Sequence, residues 1–193
     1  MPISYFRWQS YPWKNELALQ SERVIVHFAE MLLDDFDGEH NPMDMLDRAM
    51  VLAAFAMRRM FEKRLVTDKL VEAKIPVKIF ERLCPSDFRP PYLGSSGGMA
   101  FSNYKFKECR TKYLKINEIA NEIIHSSQMM LVYGEATIPA GLLIASDFNQ
   151  KDRLLHLTIE VFSGIVQQVL DDRVSSQTDQ WDWKTEKVSA HRD

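Results

Sequence analysis

A chain of 193 residues, 46% of them hydrophobic and with a net charge of -3 at pH 7, holds enough apolar material to bury a core without staples and is not a disordered polyelectrolyte. That charge balance excludes a uniformly basic nucleic-acid binder while leaving room for a local basic patch. Its two cysteines, Cys84 and Cys109, form no CxxC pair, so zinc and dithiol redox chemistry lack their ligand spacing, no cofactor is implied, and reduced thiols fit a cytoplasmic protein.

The opening stretch to Lys14 carries Tyr5, Phe6, Trp8, Tyr11 and Trp13 but no signal-peptide core. Pro2 and Pro12 argue for an irregular wrap over the surface there. The first helix is expected over 16–33, with Asn15 as cap and Leu17, Val24, Phe28, Met31 and Leu32 as its apolar stripe. Asp34, Asp35, Asp37 and Gly38 mark its end.

A second helix is expected over 42–64, opened by Asn41, Pro42 and Asp44 and closed by Arg58, Arg59, Lys63 and Arg64. It holds the longest apolar run, Ala49 to Met57, which is too short to span a bilayer, so no membrane partner is expected. Thr67 caps a short helical segment that Pro76 ends. Val77 to Leu83 reads as a strand or an extended arm. The Pro-, Ser- and Gly-rich stretch 85–100 reads as a loop.

A third long helix is expected over 112–126, then strands over 129–133, 142–145 and 154–159, and a last helix over 161–173. The sum is an α+β protein, mainly a helical bundle of about four main helices with a small antiparallel β-sheet inserted before the last helix. Residues 1–174 form one compact domain on this reading, and 175–193 a polar tail bearing Trp181 and Trp183.

One helix carries the functional lead. In TKYLKINEIANEIIHSS, Ile116, Ile119, Ala120 and Ile123 face the core, while Glu118, Asn121, Glu122 and His125 form a polar edge. Asn121 and His125 lie one turn apart, and an imidazole suits proton transfer near neutral pH. The stretch from Tyr104 to Tyr113 interleaves cations with aromatic rings. Lys105, Lys107, Arg110 and Lys112, with Arg58 and Arg59, are candidate contacts to phosphates; the plainer reading of the stretch is a half-buried extended segment with its lysines in water.

Other patterns carry less. GSSGG, between Leu93 and Met99, lacks the Lys-Ser/Thr that a phosphate-binding loop needs. His156, Glu160 and Asp147 lack a second histidine at ligand spacing, so His156 reads as a paired strand histidine and no metal site is assigned. His27 receives the same reading, and His40 and His191 suggest no site. No serine sits in a GxSxG elbow.

The run Asn121-Glu122-Ile123-Ile124-His125 resembles the late part of the RNxxxH motif of HEPN-type helical bundles, many of which are metal-independent RNases of toxin and defence systems. The resemblance covers residues 16–64 and 112–173. It implies a homodimer with the motif helices facing one another across a cleft, and an Arg and a His acting on the RNA phosphate. Ala120 stands where the family has that Arg. The resemblance therefore implies a HEPN-like binding or regulatory protein that does not cut, linked to a toxin–antitoxin or defence system, with RNA or a protein as partner. The alternatives are a metal-independent endoribonuclease using His125 with Asn121, and an interaction module built on the aromatic termini.

Overall fold

The first helix of the computed structural model, which describes residues 9–33, 41–83, 103–134 and 139–193, is α1 (Tyr11–Leu33). It begins earlier than the sequence suggests because Pro12 falls in its first turn, where a missing N–H costs nothing. Lys14 anchors the start by donating to the carbonyls of Leu170 and Asp172. The expected aromatic wrap at 1–8, the turn at 34–38 and the loop at 85–100 lie outside the described residues, as do Cys84 and His40.

Helix α2 (Pro42–Glu62) starts where Asn41 accepts from the Met43 N–H at 3.0 Å and proline occupies the first helical position. Its buried face includes Leu46, Ala49, Met50, Ala53, Ala56, Met57 and Met60. The alanines allow α1 to pack closely alongside. The short α3 (Asp68–Glu72) is capped by Thr67, which in turn donates to the Asp172 carboxylate through both its N–H and its hydroxyl.

Five strands follow: β1 (Lys74–Arg82), β2 (Tyr104–Lys115), β3 (Ser126–Val132), β4 (Gly141–Ser146) and β5 (Arg153–Thr158). Helix α4 (Ile116–Ile124) lies between β2 and β3, and α5 (Ile159–Asp171) follows β5. The sheet order is β2-β1-β5-β4-β3, with every pairing antiparallel. Strands β6 (Gln177–Asp182) and β7 (Lys187–Arg192) form a separate hairpin in the C-terminal stretch.

Alternation along the strands sorts their side chains onto two faces. Ile75, Val77, Ile79, Leu142, Ile144, Leu155 and Leu157 join the buried faces of the helices in one core. Phe80, Leu143, Ala145 and Leu154 form a second cluster with Tyr104 on the opposite face. Strands β4 and β5 are thus buried on both sides, which is why they read as continuous apolar runs. Burial pushes the Tyr104 phenol up to about 12.

The expected helical bundle with a small sheet is corrected by this arrangement: the chain is α+β, with five helices and a five-stranded antiparallel sheet among the described residues. Two central facts account for the difference. The stretch 104–115 is a twelve-residue edge strand whose outward side chains are charged, so its period-2 pattern is hidden. Lys112 to Lys115, read as helix, are its last residues. The helix starts only at Ile116, where the Lys115 N–H donates to the Glu118 carboxylate at 2.7 Å, the acid three residues on folding back over the helix entry.

No described helix is long and apolar enough to cross a membrane.

Candidate functional site

Helix α4 buries Ile116, Ile119, Ala120 and Ile123 and turns Glu118, Asn121 and His125 outward. His125 caps its C-terminus, with its N–H donating to the Asn121 carbonyl at 3.0 Å. The Asp147 N–H donates to the His125 carbonyl at 3.0 Å, which ties the helix end to the β4–β5 turn. That turn is held by Asn149, whose N–H donates to the Ser146 carbonyl at 3.2 Å.

The helix and the turn meet at Glu122. Its carboxylate is almost fully buried, at 4% exposure, and accepts from Asn149 Nδ2 at 2.6 Å and Arg153 Nη2 at 2.5 Å. A concave site of about 310 Å³ opens above this junction, lined by Glu118, Asn121, Glu122, His125, Ser146, Phe148, Asn149 and Arg153. The Phe148 ring is 74% exposed and stands edge-on to the His125 ring, with centroids 5.5 Å apart.

A second helix reaches the site. Arg58 on α2 places Nη1 3.4 Å from His125 Nε2, while its Nε donates to Glu62 at 2.7 Å. A guanidinium only donates, so in this geometry Nε2 offers its lone pair. Two buried polar atoms at the site have no hydrogen-bond partner: Asn121 Oδ1, an acceptor, and Arg153 Nε, a donor.

The structure divides the residues selected from sequence into two groups. Asn121 and His125 line the site, and Arg58 stands beside it in contact with His125. Arg59 turns away, donating to Glu62 at 3.1 Å and lying 5.8 Å from the Trp13 ring centroid. Lys105, Lys107, Arg110 and Lys112 lie on β2, at the opposite edge of the sheet from β3, and none lines the site. Arg110 pairs there with Glu81 at 2.7 Å, and Lys105 with Glu108 at 3.7 Å.

Phe148, Asn149 and Arg153, between the expected strands 142–145 and 154–159, escape the sequence reading. The one local signal is the phenylalanine itself, an apolar ring inside SDFNQKD. The other described histidines stand elsewhere. His27 contacts Glu30 at 2.8 Å, and His156 is buried in β5. Among the described residues no group of three His, Cys, Asp or Glu side chains is placed to hold a metal ion.

The charges at the site nearly cancel, with Glu118, Glu122 and Glu62 set against Arg58 and Arg153. Both carboxylates of α4 are already engaged, Glu122 by two donors and Glu118 by the Lys115 N–H. His125 is the exposed imidazole of the set. Such a set can hold an anionic group beside the Arg58–His125 contact, present a polar edge at Asn121, and stack a planar ring on Phe148. Neither a protein-family model, nor a curated protein, nor a solved structure matches this chain.

Proposed function

We propose that this groove binds single-stranded RNA and does not cut it, as the HEPN-like regulatory reading of Asn121 and His125 implies. The observation that carries the proposal is Arg58 Nη1 standing 3.4 Å from His125 Nε2. On this reading Arg58 of α2, sixty-seven residues from His125 in sequence, stands in for the cation missing at Ala120. Phosphate contacts from a guanidinium and an imidazole, with an exposed phenylalanine for a base, are the usual parts of a single-strand site. Glu122 lies buried under two donors and is not placed to share proton transfer with His125, which favours binding over cleavage.

The test is fluorescence anisotropy with a labelled uridine-rich RNA, run at two salt concentrations, with gel analysis of the same samples. Wild type is expected to bind and leave the RNA intact. Phe148→Ala is expected to weaken binding roughly tenfold, as loss of one stacking platform does. Arg58→Ala is expected to weaken it and flatten its salt dependence. Absence of binding, or binding indifferent to both substitutions, overturns the proposal. Cleavage by wild type that disappears in His125→Ala replaces it with the endoribonuclease reading.

A further inference from the structure

Helix α1 is apolar on two sides. Leu17, Gln20, Val24 and Phe28 form its buried side, packed toward α2 and α5. The opposite side carries Leu19, Glu22, Val26, Ala29 and Leu33 at spacings of three and four, a heptad seam. All five are exposed or half-open, with Leu19 at 44%, Val26 at 51% and Leu33 at 75%. Ile25 and Leu32 are also exposed and, with Ala18, widen the stripe along one edge. A helix packed on one side needs one apolar stripe, and α1 carries a second one in water.

The charges beside the stripe indicate what covers it. Its other edge carries Glu16, Arg23 and Glu30, which share one heptad position. Two copies of α1 laid antiparallel about a two-fold axis near Val26 set Leu19 of each against Leu33 of the other. The same operation sets Arg23 beside the other copy's Glu30, twice. A parallel arrangement instead sets those charges against Ile25 and Leu32. Arg23 has no ion pair among the described residues, and Glu30, which contacts His27 through Oε2, keeps Oε1 for a partner.

We infer that this face of α1 pairs with the same face of a second copy, antiparallel, to form a symmetric dimer. The patch is self-complementary under a two-fold operation, as such an interface requires. Glu22 is the one charge inside the stripe; its stem adds apolar cover while its carboxylate reaches the rim. A seam of one helix buries less than the standard interface of roughly 800 Å² per partner, so association is concentration-dependent. No residue of α1 lines the groove at His125, so dimerisation and RNA binding are separable.

Sedimentation velocity on the full chain, from low to high micromolar concentration, tests the inference. A monomer–dimer equilibrium is expected for wild type. Val26→Glu is expected to weaken it at least roughly tenfold, since it sets two carboxylates against each other at the axis. Both positions are exposed, so circular dichroism should be unchanged for Val26→Glu and Leu19→Glu. Arg23→Glu is expected to weaken association severalfold, and Arg23→Glu combined with Glu30→Arg to restore it. Glu22→Leu is expected to tighten it. A monomer at every concentration overturns the dimer, as does a dimer indifferent to Val26→Glu. Failure of the double charge swap to restore association overturns the antiparallel arrangement.

Discussion

Arg153 donates to Glu122 at 2.5 Å, and this pair joins α4 to the β4–β5 turn beneath the candidate site. The carboxylate is buried, and Arg153 and Asn149 donate to the same oxygen. Removing one partner leaves the other charge in a poor environment, which costs more than the pair itself contributes. Glu122→Ala should lower stability by about 3 kcal/mol in urea unfolding. It should also free Phe148 and Asn149 to move, so anisotropy with RNA should fall along with stability. A loss below about 1 kcal/mol, the worth of an exposed pair, would show that the junction is held by something else.

The closeness of β4 to β5 gives a second prediction. A Cβ added at Gly141 would stand 2.7 Å from the Leu157 carbonyl oxygen, 2.9 Å from His156 Nε2 and 3.0 Å from the Thr158 Cα. Two of these are backbone atoms of the paired strand and cannot swing aside. Gly141→Ala should therefore cost about 1–3 kcal/mol. Gly164 on α5 meets nothing within 4 Å, so Gly164→Ala should stabilise the helix by about 0.5–1 kcal/mol. Thermal melts read both, at roughly 2–4 °C per kcal/mol for a chain of this size. Equal shifts for the two variants would contradict the packing at Gly141.

His156 supplies a pH dependence. It sits at 2% exposure on β5, paired with Leu143 on one side and Lys78 on the other. Burial lowers its pKa from the ordinary histidine value, and the Lys78 charge acts in the same direction. The Pro139 carbonyl pulls the other way without closing a hydrogen bond of normal geometry, and neither ring nitrogen has a partner. A histidine whose folded pKa is depressed takes up its proton more readily when unfolded, so stability is whole above about pH 6.5 and falls as pH drops below it. Urea midpoints measured from pH 7.5 to pH 5 should show that fall, and His156→Leu should reduce it. A slope unchanged by the substitution would assign the pH dependence to other groups.

The parts of this molecule legible from sequence are those whose cause is local. The start of α2 is written in Asn41, Pro42 and Asp44, and the sorting of α4 into Ile116, Ile119 and Ile123 against Glu118, Asn121 and His125 follows from helical spacing alone. Strand β2 is hidden because its residues 107–113 are exposed on both faces, so this edge strand can carry Lys107, Arg110 and Lys112 at either parity. The fold class is misread chiefly there. Arg58 reaches His125 only because α2 packs against α4, and Arg153 reaches Glu122 only because the β4–β5 turn folds back over the helix. Contacts made across sixty-seven and thirty-one residues leave no periodic trace in the chain.

The C-terminal hairpin docks on α3 through Asp68. The Asp68 carboxylate at the start of α3 accepts from the Arg192 N–H at 3.1 Å and meets His191 Nδ1 at 2.9 Å. The hairpin's base is closed by the Ser175 N–H donating to the Asp193 carbonyl at 2.6 Å, and its turn exposes Trp183. An isolated two-stranded hairpin is marginal in water, so docking on α3 decides whether β6 and β7 stay formed. The Arg192 N–H, above all, holds the Asp68 pKa below the ordinary carboxylate value, with His191 acting in the same direction. A depressed carboxylate contributes its stability above that ordinary value, about 3.9, and loses it as pH falls further. Asp68→Asn should therefore speed amide hydrogen exchange across 177–192 at pH 7 while leaving the five-stranded sheet protected. Acid should bring the wild-type hairpin toward the same behaviour as Asp68 takes up its proton. Equal protection of those amides in wild type and variant at pH 7 would show that the hairpin stands without this contact.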